Sequence, residues 1–279
     1  MDIFPSIYFL MAILLSAIFI CINWRHGKWP FRKLKRQKLF LKPFSIKWIQ
    51  ILRKNVPIYK RLPEDLKAEL HGHIHILIAE KNFEGCGGLK LTDEIKVTIA
   101  AQASILLLNR NASYYPRLSS ILVYPSSYRV NDVDQIGAVV NEEEDILDGE
   151  SWGSGAIVLA WDHIKQTAND PSDGYNLVIH EFAHQFEFET IPTISDKKSF
   201  TKWARVLNSE FQKFQKNIKT NKKTILDEYG AEDPYEFFSV ASEAFFEKSA
   251  ELKSKMPELY RELAKFYNVD PAMWVTRKV

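Results

Sequence analysis

The chain is 279 residues long, 46% hydrophobic and 13% aromatic, a composition that supports a sizeable buried core. Its net charge of +2 is unevenly placed: residues 25–61 carry thirteen Lys and Arg and no Asp or Glu, which leaves −11 for the rest of the chain. Two cysteines and no CxxC pair exclude a disulfide framework.

Residues 7–24 (IYFLMAILLSAIFICINW) are eighteen in a row without a charge. As a helix they would cover ~27 Å, close to the hydrocarbon thickness of a bilayer. Asp2 is the only charge before them, and no small-residue cleavage site follows, which favours a transmembrane helix over a cleaved signal peptide. Arg25, Lys28, Arg32, Lys33, Lys35, Arg36 and Lys38 come next, and such a flank stays in the cytoplasm. The reading is a single-pass protein of the cell (inner) membrane with its body cytoplasmic. It has an anchor (1–28), a basic juxtamembrane neck (29–61) able to press on anionic lipid heads, and a body (62–279). No specific nucleic acid is expected as a partner of the neck.

In the body, Leu66, Leu70, Ile74, Leu77 and Ile78 predict a helix over 66–80. His71 and His75 share one of its faces, and without an intervening acid they read as surface or packing residues. Residues 84–88 (EGCGG) predict a turn, and Thr92 caps a second, Ala-rich helix over 92–109. Residues 120–125 and 157–161 read as strands, and the acidic stretch 141–150 as an outward loop. Everything after Pro171 is predominantly helical. The class is α+β, a small sheet with a helical body.

His180-Glu181-Phe182-Ala183-His184 is an HExxH motif. On a helix, i and i+4 share a face, so both imidazoles reach one ion, and Glu181 stands beside them as a base for metal-bound water. Nitrogen ligands with an open position suit Zn2+. Asp170-Pro171 predicts the start of this helix. A second helix begins at Asp233-Pro234 and carries Glu236, Glu243 and Glu247 along one stripe. Glu236 reads as a capping-box partner of Asp233, and Glu247 as solvated. Glu243 lies mid-helix among small and phenylalanine residues, where a carboxylate is costly unless paired or metal-bound. It is the expected third ligand.

Several motifs in order resemble those of the Mlc titration factor A family of zinc metallopeptidases, of gluzincin type. They are FEGCGGLKLT (83–92), IAAQASILLL (99–108), VYP (123–125), GESWGSGAIVLAW (149–161), GYNLVIHEFAHQFE (174–187) and YGAEDPYEFFSVASEAFFE (229–247). The resemblance covers roughly residues 62–271. It implies a zincin-like fold, zinc held by His180, His184 and Glu243, and Glu181 as catalytic base. It implies aminopeptidase-like action on short peptides, and the family's namesake also binds the glucose repressor Mlc. The N-terminal span and the neck depart from that soluble namesake. By analogy with other zincins, residues 156–161 are expected to be the edge strand that receives substrate backbone, and Tyr229 or Tyr235 to donate to the transition state. The rival to a peptidase is a membrane-tethered protein that sequesters a transcription regulator.

Overall fold

A computed structural model of the chain describes residues 11, 30–110, 113–126, 128–129, 146–147, 149–151, 155–169, 174–190 and 196–274. The anchor expected at 7–24 lies outside them but for Met11, and among the described residues no helix is long and apolar enough to cross a membrane. The chain divides into two units, residues 1–43 and 44–279. The first contains helix α1 (Pro30–Phe40), whose charges are all basic.

The second unit begins well before Leu62. Helices α2 (Ile46–Asn55) and α3 (Pro57–Arg61), expected to belong to the basic juxtamembrane neck, fall in the second unit. Leu52, Val56, Ile58, Tyr59 and Leu62 are buried. Asn55 Nδ2 donates to Thr98 Oγ1 and to Glu94 Oε1, both at 3.1 Å. Lys47, Arg53 and Lys54 occupy the exposed face of α2, while Arg61 turns inward and donates to the carbonyls of Phe246 and Glu247, so charge alone does not mark where this unit begins.

Helix α4 (Glu64–Glu80) packs against α5 (Asp93–Ile105), and Thr92 Oγ1 accepts from Ile95 N as the α5 N-cap. Between them runs strand β1 (Asn82–Gly85), partly in the segment that reads as a turn. The turn itself follows, with Gly87 at φ +57°, a conformation costly for a residue with a Cβ. Strand β2 (Ser120–Tyr124), short strands β3 (Tyr128–Arg129) and β4 (Ile146–Leu147), and strands β5 (Gly149–Ser151) and β6 (Ala156–Ala160) come next. One sheet has the order β1-β2-β6-β5, with β5 antiparallel to β6 and the other pairs parallel; β3 and β4 pair separately. Two expectations change here. Residues 146–147 and 149–150, expected within the outward loop 141–150, are in strands. And β6 is not an edge: β5 covers it, so among the described residues the outer strand on that side is Gly149–Ser151.

Helix α6 (Trp161–Asn169) is followed by α7 (Leu177–Thr190), α8 (Lys197–Lys219), a 3-10 turn (Glu228–Ala231), α9 (Pro234–Glu247), α10 (Ser249–Lys255), α11 (Pro257–Tyr267) and a last 3-10 turn (Pro271–Met273). An aromatic core joins four of them: Phe186 of α7, Trp203 of α8, Phe238 and Phe245 of α9, and Phe266 and Tyr267 of α11, with ring centroids 4.8–6.2 Å apart. The α+β class, a small sheet beside a helical body, is what the structure shows. Helix α7 packs along α9, and α7 also packs on β5.

Candidate metal centre

Helix α7 starts at Leu177, later than the expected Asp170-Pro171, which lie outside the described residues. Gly174 turns the chain toward it at φ +81°. Asn176 is the cap: its Oδ1 accepts from Ile179 N at 3.0 Å, and its carbonyl accepts from His180 N. Its Nδ2 donates to Glu247 Oε1 at 2.9 Å, and its backbone N–H donates to Glu243 Oε2. One residue thus starts the motif helix and ties it to α9.

The two motif histidines face each other with Nε2 atoms 3.2 Å apart. Glu236 reaches both: its Oε2 is 2.9 Å from His180 Nε2 and its Oε1 is 3.3 Å from His184 Nε2. Among the described residues, His180, His184 and Glu236 form the group whose donor atoms all lie within 4.8 Å of one another. Glu243, the residue expected in that role, is elsewhere on the ring. Its Oε1 is 2.8 Å from His180 Nδ1, the nitrogen opposite the converging atoms. The burial argument for Glu243 holds, since it is 2% exposed, but its partners are an imidazole N–H and a backbone N–H. Glu236 departs from the capping-box reading. Asp233 Oδ1 accepts from Tyr235 N and Glu236 N, but the Glu236 carboxylate turns to the histidines. Glu247 is buried, not solvated, held by Asn176 and beside Arg61 Nη2 at 3.8 Å.

The electrostatics follow from this packing. Burial pushes His180 down, but Glu236 and Glu243 outweigh it and hold the pKa up at about 10. Burial likewise opposes ionisation of Glu236, and His180 and His184 override it, bringing the carboxyl to about 2. Burial dominates at Glu243 and raises it, against the pull of His180. Glu181 is buried beside this group and its charge acts on both His180 and Tyr229. The Tyr229 ring lies 5.9 Å from that of His180. Burial first, then Glu236 and the other nearby carboxylates, raise the Tyr229 pKa, so its hydroxyl is a donor at neutral pH. Tyr235 is 65% exposed and lines a cavity with Glu187 and α8, so of the two tyrosines only Tyr229 is placed against the histidines.

His71 and His75 do not join a metal group among the described residues. Phe44 stacks on His71 at 3.9 Å, the Tyr59 hydroxyl is 3.0 Å from His71 Nε2, and Trp48 lies 5.4 Å from His75. The packing reading of these histidines is the one found.

A family model described as glucose-regulated metallo-peptidase M90 matches residues 31–268. The chain belongs to this family. An M90 match of that extent takes in all of the metal centre, α2 and α3, and α1 from Phe31 on. Among similar proteins, an uncharacterized protein of Synechocystis sp. is 35% identical over 93% of this chain and 97% of its own length. Proteins called Mlc titration factor A from Yersinia pestis and Yersinia pseudotuberculosis are 28% identical over 88% of this chain and 90% of theirs. The family model and these relatives bear out the family resemblance carried by the motifs.

The donor set fits the metal that a metallo-peptidase implies. Two nitrogen ligands at ~2.0–2.1 Å from a tetrahedral ion stand roughly 3.3 Å apart, close to the spacing of the two Nε2 atoms. Imidazole nitrogens with one carboxylate and an open position are a catalytic zinc set. A histidine ligand whose other nitrogen donates to a carboxylate is the usual support for such a site, and Glu243 supplies it.

Proposed function

We propose that the chain is a zinc-dependent peptidase in which His180, His184 and Glu236 hold the ion and Glu181 is the general base. The observation that carries this is the convergence of the two histidine Nε2 atoms and the Glu236 carboxylate, with Glu181 on the adjacent position of the same helix. Bound zinc would supply Lewis-acid polarisation of the scissile carbonyl and lower the pKa of a coordinated water toward ~7. Glu181 takes the proton from the attacking water and returns it to the leaving amine. Tyr229, kept protonated, donates to the developing oxyanion. Glu243 holds the His180 ring through Nδ1 and fixes Nε2 as the ligand atom. The sheet edge at β5 is packed against α7 and offers backbone groups to an extended peptide. The arrangement of motif helix, downstream carboxylate helix and sheet edge supports a zincin-like fold, and the family resemblance supports short peptides with aminopeptidase-like cleavage.

We also place the protein at the membrane through residues 7–24, with the basic flank and the body on the cytoplasmic side. The uncharged run and its one-sided positive flank support this. The name of the Yersinia relatives supports a second role, binding of a transcription regulator, which is compatible with catalysis.

The test uses the full chain and Glu181→Gln, reading zinc per chain and turnover of aminoacyl and short-peptide chromogenic substrates. Near-stoichiometric zinc in both, with turnover lost by ~10²-fold or more in Glu181→Gln, is the expected result. Zinc in both with turnover in neither leaves binding as the function, read by capture of the regulator with either form. No zinc in either ends the metal reading.

A further inference from the structure

Glu187 follows His184 by three residues on α7, a spacing that puts their Cβ atoms ~5–6 Å apart on one face. It borders a cavity of about 270 Å³ walled by Phe200, Trp203 and Phe211 of α8 and by Tyr235 and Phe237 of α9. Trp203, Phe211 and Phe237 are buried at its floor, while Phe200 and Tyr235 are exposed at its rim. Glu187 itself is 7% exposed, and its Oε2 has no hydrogen-bond partner among the described residues. No Lys, Arg or His stands among the described lining residues. Burial, then the charge of Asp233, hold its carboxyl up at about 8.

A buried carboxylate with an unanswered oxygen is costly, and an apolar occupant would leave it so. An anion would meet the charge of Asp233, and the Glu187 carboxyl, held protonated at neutral pH, would offer it no countercharge. A cationic nitrogen answers the carboxylate, and its methylene stem and charge both suit aromatic walls. We propose that this cavity is a subsite for an ammonium or guanidinium group of the peptide substrate, with Glu187 as its charge partner. The Lys or Arg side chain of a residue beside the scissile bond has the stem to fill the cavity, and the free α-amine of a peptide carries the same cation. The substrate part of this inference rests on the peptidase reading; the cation site does not.

The full chain with zinc is assayed on four peptides, with Lys or norleucine beside the scissile bond and the N-terminus free or acetylated. Binding of n-pentylammonium is followed separately by calorimetry, which needs no turnover. A preference of at least about tenfold for Lys, or for the free amine, is expected in kcat/KM, falling to about one in Glu187→Gln. The side-chain pair and the terminus pair then say which source the subsite takes. Ala204→Trp, at the exposed rim, narrows the mouth without touching Glu187 and should weaken n-pentylammonium as well. If no peptide is cleaved, the peptidase reading fails, yet n-pentylammonium binding lost in Glu187→Gln still supports the cation site. A cationic preference that survives Glu187→Gln, or no preference and no n-pentylammonium binding in the wild type, overturns it.

Discussion

His180 and Glu243 meet at the ring nitrogen turned away from the ion site, Nδ1 to Oε1 at 2.8 Å, while Glu236 faces Nε2 on the other side. The two carboxylates therefore differ in what their loss should do. On the proposed ligand set, Glu236→Ala removes a ligand, and zinc affinity should fall by more than a hundredfold or so. Glu243→Ala leaves the ligand set intact and unsettles the ring, and should cost ~10–100-fold. Competition with a graded chelator measures both. If Glu243→Ala costs more than Glu236→Ala, their roles have been exchanged.

Asn176 carries the start of α7 and the tie to Glu247 in one side chain. Asn176→Ala should lose a cap worth ~1 kcal/mol and leave a buried carboxylate short of a donor, for a total near 2–3 kcal/mol. Asn176→Asp keeps the cap acceptor but sets a second negative charge against Glu247, so it should not restore stability. Urea unfolding of the three proteins decides; an Asp variant as stable as the wild type would show that the Glu247 contact contributes nothing.

Stability should also fall with acid through His71. Burial, then the neighbouring His75, bring its pKa to about 4 against an ordinary 6.5. The folded value lies below the unfolded one, so the contribution is present above pH 6.5 and is lost as pH falls toward 4. Allowing for its partial exposure, the loss is on the order of 1 kcal/mol. His71→Phe keeps a ring against Phe44 and should flatten this part of the profile between about pH 7 and about pH 5. An unchanged slope would remove His71 as its source.

The boundary of the body is open to a direct test. A chain starting at Phe44 keeps Leu52, Val56, Ile58 and Tyr59; one starting at Leu62 loses them. At ~1.5–3 kcal/mol per large buried side chain, the shorter chain forfeits an amount comparable with the ~5–15 kcal/mol that holds a domain together. Soluble yield and a cooperative melt are expected for the longer chain alone. Equal melts would return α2 and α3 to the neck.

The residues that a local rule governs were legible in the sequence. HExxH places both histidines by helical period alone, and Thr92 and Asp233 cap the helices they were read to cap. Glu236, Glu243 and Glu247 lie on one stripe, and nothing in a single helix says which meets which nitrogen. The crossing of α7 over α9 decides that, and it brings the first turn of α9 to Nε2 and the third to Nδ1. Strand β5 was hidden because its Gly-Glu-Ser has no strand pattern and takes its conformation from pairing with β6. Asn176 carried a signal, a cap-forming residue directly before Leu177-Val178-Ile179, but Asp170-Pro171 carried a stronger one. Glu187 had none, since its burial comes from α8, a helix outside the motif.

Glu236 and Glu243 stand seven positions apart on α9, two turns along nearly the same line. A point change at either end is graded in its effect, but a change in length is not. One residue added or removed between them would rotate the downstream end by ~100° and carry it ~1.5 Å along the axis. Glu243 would then leave Nδ1 while Glu236 stayed at Nε2. This stretch of helix works as a caliper closed on one imidazole, and its measure is a fixed number of residues, open to drift in side chains but not in count.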